Sequence, residues 1–102
     1  MNEKIVMPTN QALVNGLHEK LVQYKARVIN PKKSERARND AELKAFVLEA
    51  LIAKGTLDLE FTAQFAAEQL GDKFTPEGFK QAWDVIDDYC QTGGQNCDKQ
   101  IV

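Results

Sequence analysis

Apolar residues recur along the first third of the chain at steps of three and four. Val14, Leu17, Leu21, Tyr24 and Val28 fall on one stripe of a helix, because 3.6 residues per turn stacks such positions on one face. Leu13 and Val22 widen the stripe to the breadth of a globular core face. The spacing predicts a helix over about 10–29, ended by Pro31, since the residue before a proline is driven out of the α region. A second stripe follows in Leu43, Phe46, Val47, Ala50 and Leu51, with Asn39 as the expected N-cap and Glu42 placed to complete a capping box. Lys54 and then Gly55 close this helix at the end where a cation and a left-handed residue are favoured.

The period then changes. In TLDLEF, Leu57, Leu59 and Phe61 alternate with polar residues, which predicts a short extended segment over 57–61. Thr62 is the expected cap of a short helix running to Leu70, with Gly71 ending it. Thr75 and Pro76 open the last helix as N-cap and N1, and Phe74 and Phe79 stand at N′ and N4, the positions of a hydrophobic staple. Phe79, Ala82, Trp83, Ile86 and Tyr89 line its inner face. Beyond it, Gly93-Gly94 fits a two-residue turn, and a C-terminal hairpin there would set Cys90 opposite Cys97.

These elements predict a mainly α fold: one helical domain over 1–102, a compact bundle of about four helices. A helix-turn-helix-like core spans 62–90, and a basic linker over 30–38 joins the first two helices. Ala67 and Gly71 stand four apart, as a small residue and a turn glycine do in helix-turn-helix units. The order of elements resembles that of a winged helix, a likeness of pattern with no diagnostic motif.

Charge changes that picture. Residues 1–54 hold ten Lys/Arg against six Asp/Glu, net +4, and residues 55–102 hold three against nine, net −6. On the last helix Glu77, Lys80, Gln81, Asp84, Asp87 and Asp88 are the expected outer positions. Four anions against one cation suit a groove reader badly, because DNA binding rests on neutralised phosphates. A basic protein surface suits them better. The cations lie upstream, in Lys20, Lys25, Arg27, Lys32, Lys33, Arg36 and Arg38, where they form a solvated linker, a phosphate-binding arm or an arm reaching a second subunit.

Catalytic chemistry finds little support. His18 is the one histidine, no nucleophile–base set can be assembled, and two cysteines with a remote histidine fail the zinc spacings. No catalytic residue, metal or cofactor is expected. The start, MNEKIVMPTNQ, lacks the basic opening and apolar core of a secretory signal, and no apolar run is long enough to span a bilayer. A cytoplasmic chain with reduced thiols is therefore expected, with a disulfide across the hairpin as the alternative. A chain of 102 residues also buries a modest share of its surface, and dimerisation would widen a thin stability margin.

The sequence thus points to a small non-enzymatic interaction module, an adaptor or inhibitor that docks on a basic protein partner through Glu77, Asp84, Asp87 and Asp88. The alternative is a helix-turn-helix or winged-helix-like DNA-binding regulator. It would use Lys25, Arg27, Lys32, Lys33, Arg36 and Arg38 on phosphates, with Lys80 and Gln81 at base edges.

Overall fold

The computed structural model describes residues 3–92. In chain order they form β1 (Lys4–Val6), α1 (Gln11–Val28), α2 (Glu35–Lys54), β2 (Thr56–Asp58), α3 (Leu59–Leu70), a 3-10 turn (Gly71–Lys73) and α4 (Pro76–Thr92). The result is a mainly α compact globule of four helices with a small antiparallel two-stranded sheet.

Helix α2 is the axis on which the rest is hung. Both α1 and α4 pack along it, whereas α3 meets it at one end, and the backbones of α3 and α4 hardly approach one another. Leu43, Val47, Leu48 and Leu51 of α2 are sealed from solvent together with Leu17 of α1 and Phe79, Trp83 and Ile86 of α4. Their spacing of three and four residues explains the packing, because each helix buries a stripe against its neighbours. The sheet covers the α2–α3 junction. Ile5 pairs with Leu57 in register and both point into the core. Two further backbone bonds flank the pairing, Met7 N–H to Gly55 O and Leu59 N–H to Glu3 O, each 2.8 Å. Gly55 ends α2 in the left-handed region, φ 81°, which turns the chain directly into β2.

The staple at the start of α4 is present. The Thr75 hydroxyl accepts from Gly78 N–H at 3.1 Å, and the Phe74 and Phe79 rings lie 5.6 Å apart. Some features depart from the pattern reading. The cap of α2 lies five residues before the expected Asn39, because the Ser34 hydroxyl takes Ala37 N–H at 3.1 Å. Glu35, Arg36 and Ala37 are good helix formers, so the 30–38 linker shrinks to 30–33, with Lys32 N–H bonded to the Asn30 side chain. The extended segment over 57–61 becomes Thr56–Asp58, since the Asp58 carboxylate caps Phe61 N–H at 3.0 Å and starts α3 at Leu59 rather than after Thr62. Phe61 consequently lies exposed. Val22, assigned to the α1 stripe, is 69% exposed, as α2 packs on the other side of that helix along Leu17 and Tyr24. Finally, α4 runs on to Thr92, and the Gly93-Gly94 hairpin with Cys97 lies outside the described residues.

Candidate interaction surface

Helix α4 has two faces of opposite chemistry. Inward it carries Phe79, Ala82, Trp83 and Ile86; outward, at steps of four, three and four, it carries Glu77, Gln81, Asp84 and Asp88. Glu77 and Gln81 are exposed, and Asp84 and Asp88 are half-buried at the flanks of the stripe. Asp87 does not join them. It lies one position round the helix toward Trp83, is 9% exposed, and accepts from Gln91 Nε2 at 3.1 Å. Three of the four expected carboxylates therefore share a face and the fourth serves the helix interior.

The start of this stripe opens onto a groove of about 640 Å³ between the first turns of α2 and α4. Glu35, Asp40, Asp72 and Glu77 stand in its walls against Arg36 and Lys73. Asp40 is paired with Lys44 and Lys73 with Glu42, both at 2.9 Å. That leaves Glu35, Asp72 and Glu77 facing Arg36, with no ion pair on any of the four among the described residues. The first-turn carboxylates Glu35 and Glu77 also oppose the positive ends of their helices, so part of their charge is compensated locally. Asp84 stands mid-helix, beyond the reach of either helix end, and Asp88 lies nearer the negative end.

The cations are distributed differently. Lys25 binds Glu49 at 2.9 Å, Arg27 and Lys44 lie over the Tyr24 ring at 5.7 and 5.9 Å, and Lys20 lies 5.0 Å over Tyr89. Burial holds the Tyr24 phenol above its ordinary range, against the opposing pull of Lys44 and Arg27. Arg38 is half-buried, with its Nε enclosed and unbonded. Lys32, Lys33 and Arg36 remain exposed on the turn and first turn of α2, and Lys80 is exposed on α4. Of the expected nucleic-acid contacts, Arg36 (phosphate) and Gln81 (base edge) line the groove, but carboxylates surround them.

Ala67, the small residue of the helix-turn-helix pattern, is exposed, while Ala66 beside it is sealed. The 3-10 turn swings α4 away toward α2, so nothing presses on Ala67. His18 is exposed on α1. Cys90 is half-buried, and desolvation, helped by Asp87, pushes its thiol up to about 11, which suits a packing role rather than a nucleophile. Among the described residues no group of three or more His, Cys, Asp or Glu is placed to hold a metal, and no helix is long and apolar enough to cross a membrane.

No protein-family model, curated protein or solved structure matches the chain. The site therefore stands on its geometry alone. Sequence reasoning missed Glu35, Asp40 and Asp72. The first-turn position of Glu35 was visible only once Ser34 is seen to be the cap, and the approach of α2 to the 3-10 turn has no local signature.

Proposed function

We propose that this protein is a small non-catalytic interaction module that acts in the cytoplasm, docking on a basic segment of a protein partner. The supporting observation is the outer stripe of α4, Glu77, Gln81, Asp84 and Asp88, running into the groove walled by Glu35 and Asp72. Charges arranged this way raise encounter rates with a cationic partner and disfavour anionic ones. Glu77 and Asp84 have no cation within ion-pair distance among the described residues, so neutralising them by a partner breaks no bridge described in the fold.

The DNA-binding alternative draws on the exposed Lys32, Lys33 and Arg36. It would need a presented helix with cationic character, and α4 offers Lys80 among carboxylates. A helix-turn-helix or winged-helix use would also need α4 braced against α3, whereas α4 rests on α2. The interaction reading is the stronger one.

Fluorescence anisotropy separates them. An arginine-rich peptide and a DNA duplex, each titrated at low and moderate salt, are the two probes. The expected result is salt-sensitive peptide binding that falls at least about tenfold, or 1.4 kcal/mol, in the combined Glu77→Gln, Asp84→Asn, Asp88→Asn variant, and no duplex binding. Duplex binding that weakens steeply with salt and disappears when Lys32, Lys33 and Arg36 become Ala would reverse the assignment.

A further inference from the structure

A pocket of about 260 Å³ opens where the end of α2, the outer face of the sheet and the first turn of α3 converge. Lys54, Lys4, Thr56, Asp58, Phe61 and Thr62 border it. Thr62 is the telling member, being polar yet only 3% exposed. The hydroxyls of Thr75 and Thr92 bond to the backbone, whereas that of Thr62 forms no hydrogen bond among the described residues. Burying a hydroxyl without a partner is costly, so one that borders a cavity marks a place for a ligand atom. Charge narrows the choice. Neither Lys4 nor Lys54 is in an ion pair among the described residues. The Lys54 ammonium lies 4.9 Å over the Phe61 ring and 5.9 Å from that of Phe65, which keeps it at the pocket wall. The pocket also borders the positive end of α3. One carboxylate opposes these charges. Asp58 accepts Phe61 N–H through Oδ2 at 3.0 Å, which offsets part of the helix end and leaves Oδ1 to accept a further proton donor.

We propose that this pocket binds inorganic phosphate in its monohydrogen form. The ammonium groups of Lys4 and Lys54 and the hydroxyls of Thr56 and Thr62 donate to its unprotonated oxygens. The phosphate O–H donates to Asp58 Oδ1. An ionised carboxylate can only accept, so Asp58 gains a bond from an oxyanion that carries a proton and repels one that does not, such as sulfate. The carboxylate thereby gives the pocket selectivity through a clash with the wrong ligand. The pocket shares no lining residue with the α4 groove, so phosphate binding and docking on a basic partner stand or fall separately.

An NMR titration of the full chain with sodium phosphate, and separately with sodium sulfate at matched ionic strength and neutral pH, is the test. The amide signals of Lys4, Thr56 and Thr62 should move along a saturable curve with phosphate, and sulfate should bind at least about tenfold more weakly. Thr62→Val keeps the shape and removes the hydroxyl, so it should weaken phosphate roughly tenfold, while Thr62→Ser should retain it. Lys4→Gln with Lys54→Gln should abolish binding. Asp58→Asn keeps a competent helix cap and should bring sulfate to within about threefold of phosphate, a readout that does not depend on Thr62→Val folding. Absence of saturable shifts with phosphate overturns the proposal. Equal binding of phosphate and sulfate by the parent also overturns it, because the pocket would then be a general attractor of anions. So does phosphate affinity left unchanged in a Thr62→Val variant with the parent circular dichroism spectrum, or a preference for phosphate that survives Asp58→Asn.

Discussion

Helices α1 and α4 both pack on α2 and are nearly equal in length, 18 and 17 residues, yet they treat charge in opposite ways. On α1 the cations turn onto partners within the fold: Lys25 onto Glu49, Arg27 onto Tyr24, Lys20 onto Tyr89. Apolar Val22 and Ile29 are left facing out. On α4 the rings turn inward, Glu77, Lys80, Gln81 and Val85 are exposed, and Asp84 and Asp88 flank them half-buried. A count by sequence halves, +4 against −6, therefore overstates the basic surface of the N-terminal half. What a partner meets is the residue of charge left after internal pairing. By that measure the acidic side is the informative one, and the basic side contracts to Lys4, Lys32, Lys33 and Arg36.

The contrast depends on α4 being anchored entirely by its inner face. Trp83→Ala is the most severe test, since the side chain is fully sealed and its ring lies tilted beside Phe79 at 6.0 Å. Loss of that burial and the cavity left behind should cost about 3–5 kcal/mol, read as a lower denaturant midpoint. The outer-face variant Glu77→Gln, Asp84→Asn should stay within about 1 kcal/mol of the parent. Comparable losses in both variants would mean that the outer carboxylates hold the fold together, and the distinction between the two faces would fail.

A second test works where the two helices touch. The Tyr89 hydroxyl of α4 sits against Gly16 of α1, and a methyl added to Gly16 would overlap that hydroxyl and lie 3.0 Å from ring carbon Cζ. Gly16→Ala should therefore cost about 1–3 kcal/mol from overpacking, of which better helix propensity returns up to about 1 kcal/mol. In a Tyr89→Phe background the hydroxyl is gone and most of the penalty should go with it. A penalty of equal size in both backgrounds would show that the α1–α4 contact does not constrain Gly16.

Much of the fold was legible in the sequence, and for a physical reason. The stripes of α2 and α4 and the Phe74–Phe79 staple are local: residues three to five apart that specify both the element and its buried side. The misassigned points were those where two local signals competed or a distant contact decided. Ser34 and Asn39 are both competent caps, and the helix formers between them let the earlier one win. Leu57, Leu59 and Phe61 alternate like a strand, but the Asp58 carboxylate supplies a helix cap after one buried residue. Val22 belongs to the apolar set by type, yet its side of α1 meets no neighbour. At the candidate surface the outer stripe of α4 was legible from periodicity, save that Asp87 falls on the inner flank beside Trp83. The groove walls Glu35 and Asp72 come from elements 37 residues apart in sequence, and their approach is set by how α2 crosses the start of α4.

The smallest expected effect tests whether the inner side of α4 excludes water near its end. Cys90 is half-buried, and desolvation first, then the neighbouring Asp87 carboxylate, raises its thiol from 9.0 to about 11. A raised value means that the folded chain keeps a proton the unfolded chain gives up. The group thus contributes stability that is fully present below pH 9 and is lost as pH rises through about 11. At a half-exposed site solvent screening should hold this contribution to below about 1 kcal/mol. The buried phenol of Tyr24 is also raised and adds alkaline sensitivity of the same sign. The measurement is therefore the difference between parent and Cys90→Ala in stability across that alkaline range, where the Tyr24 part cancels. The parent should lose more stability than the variant. Alkylation of Cys90, followed peptide by peptide, should likewise run slower in the folded chain than in denaturant at pH 9. Equal alkylation rates, together with parallel stability curves, would place the thiol in water and move the boundary between the two faces of α4 inward to Ile86.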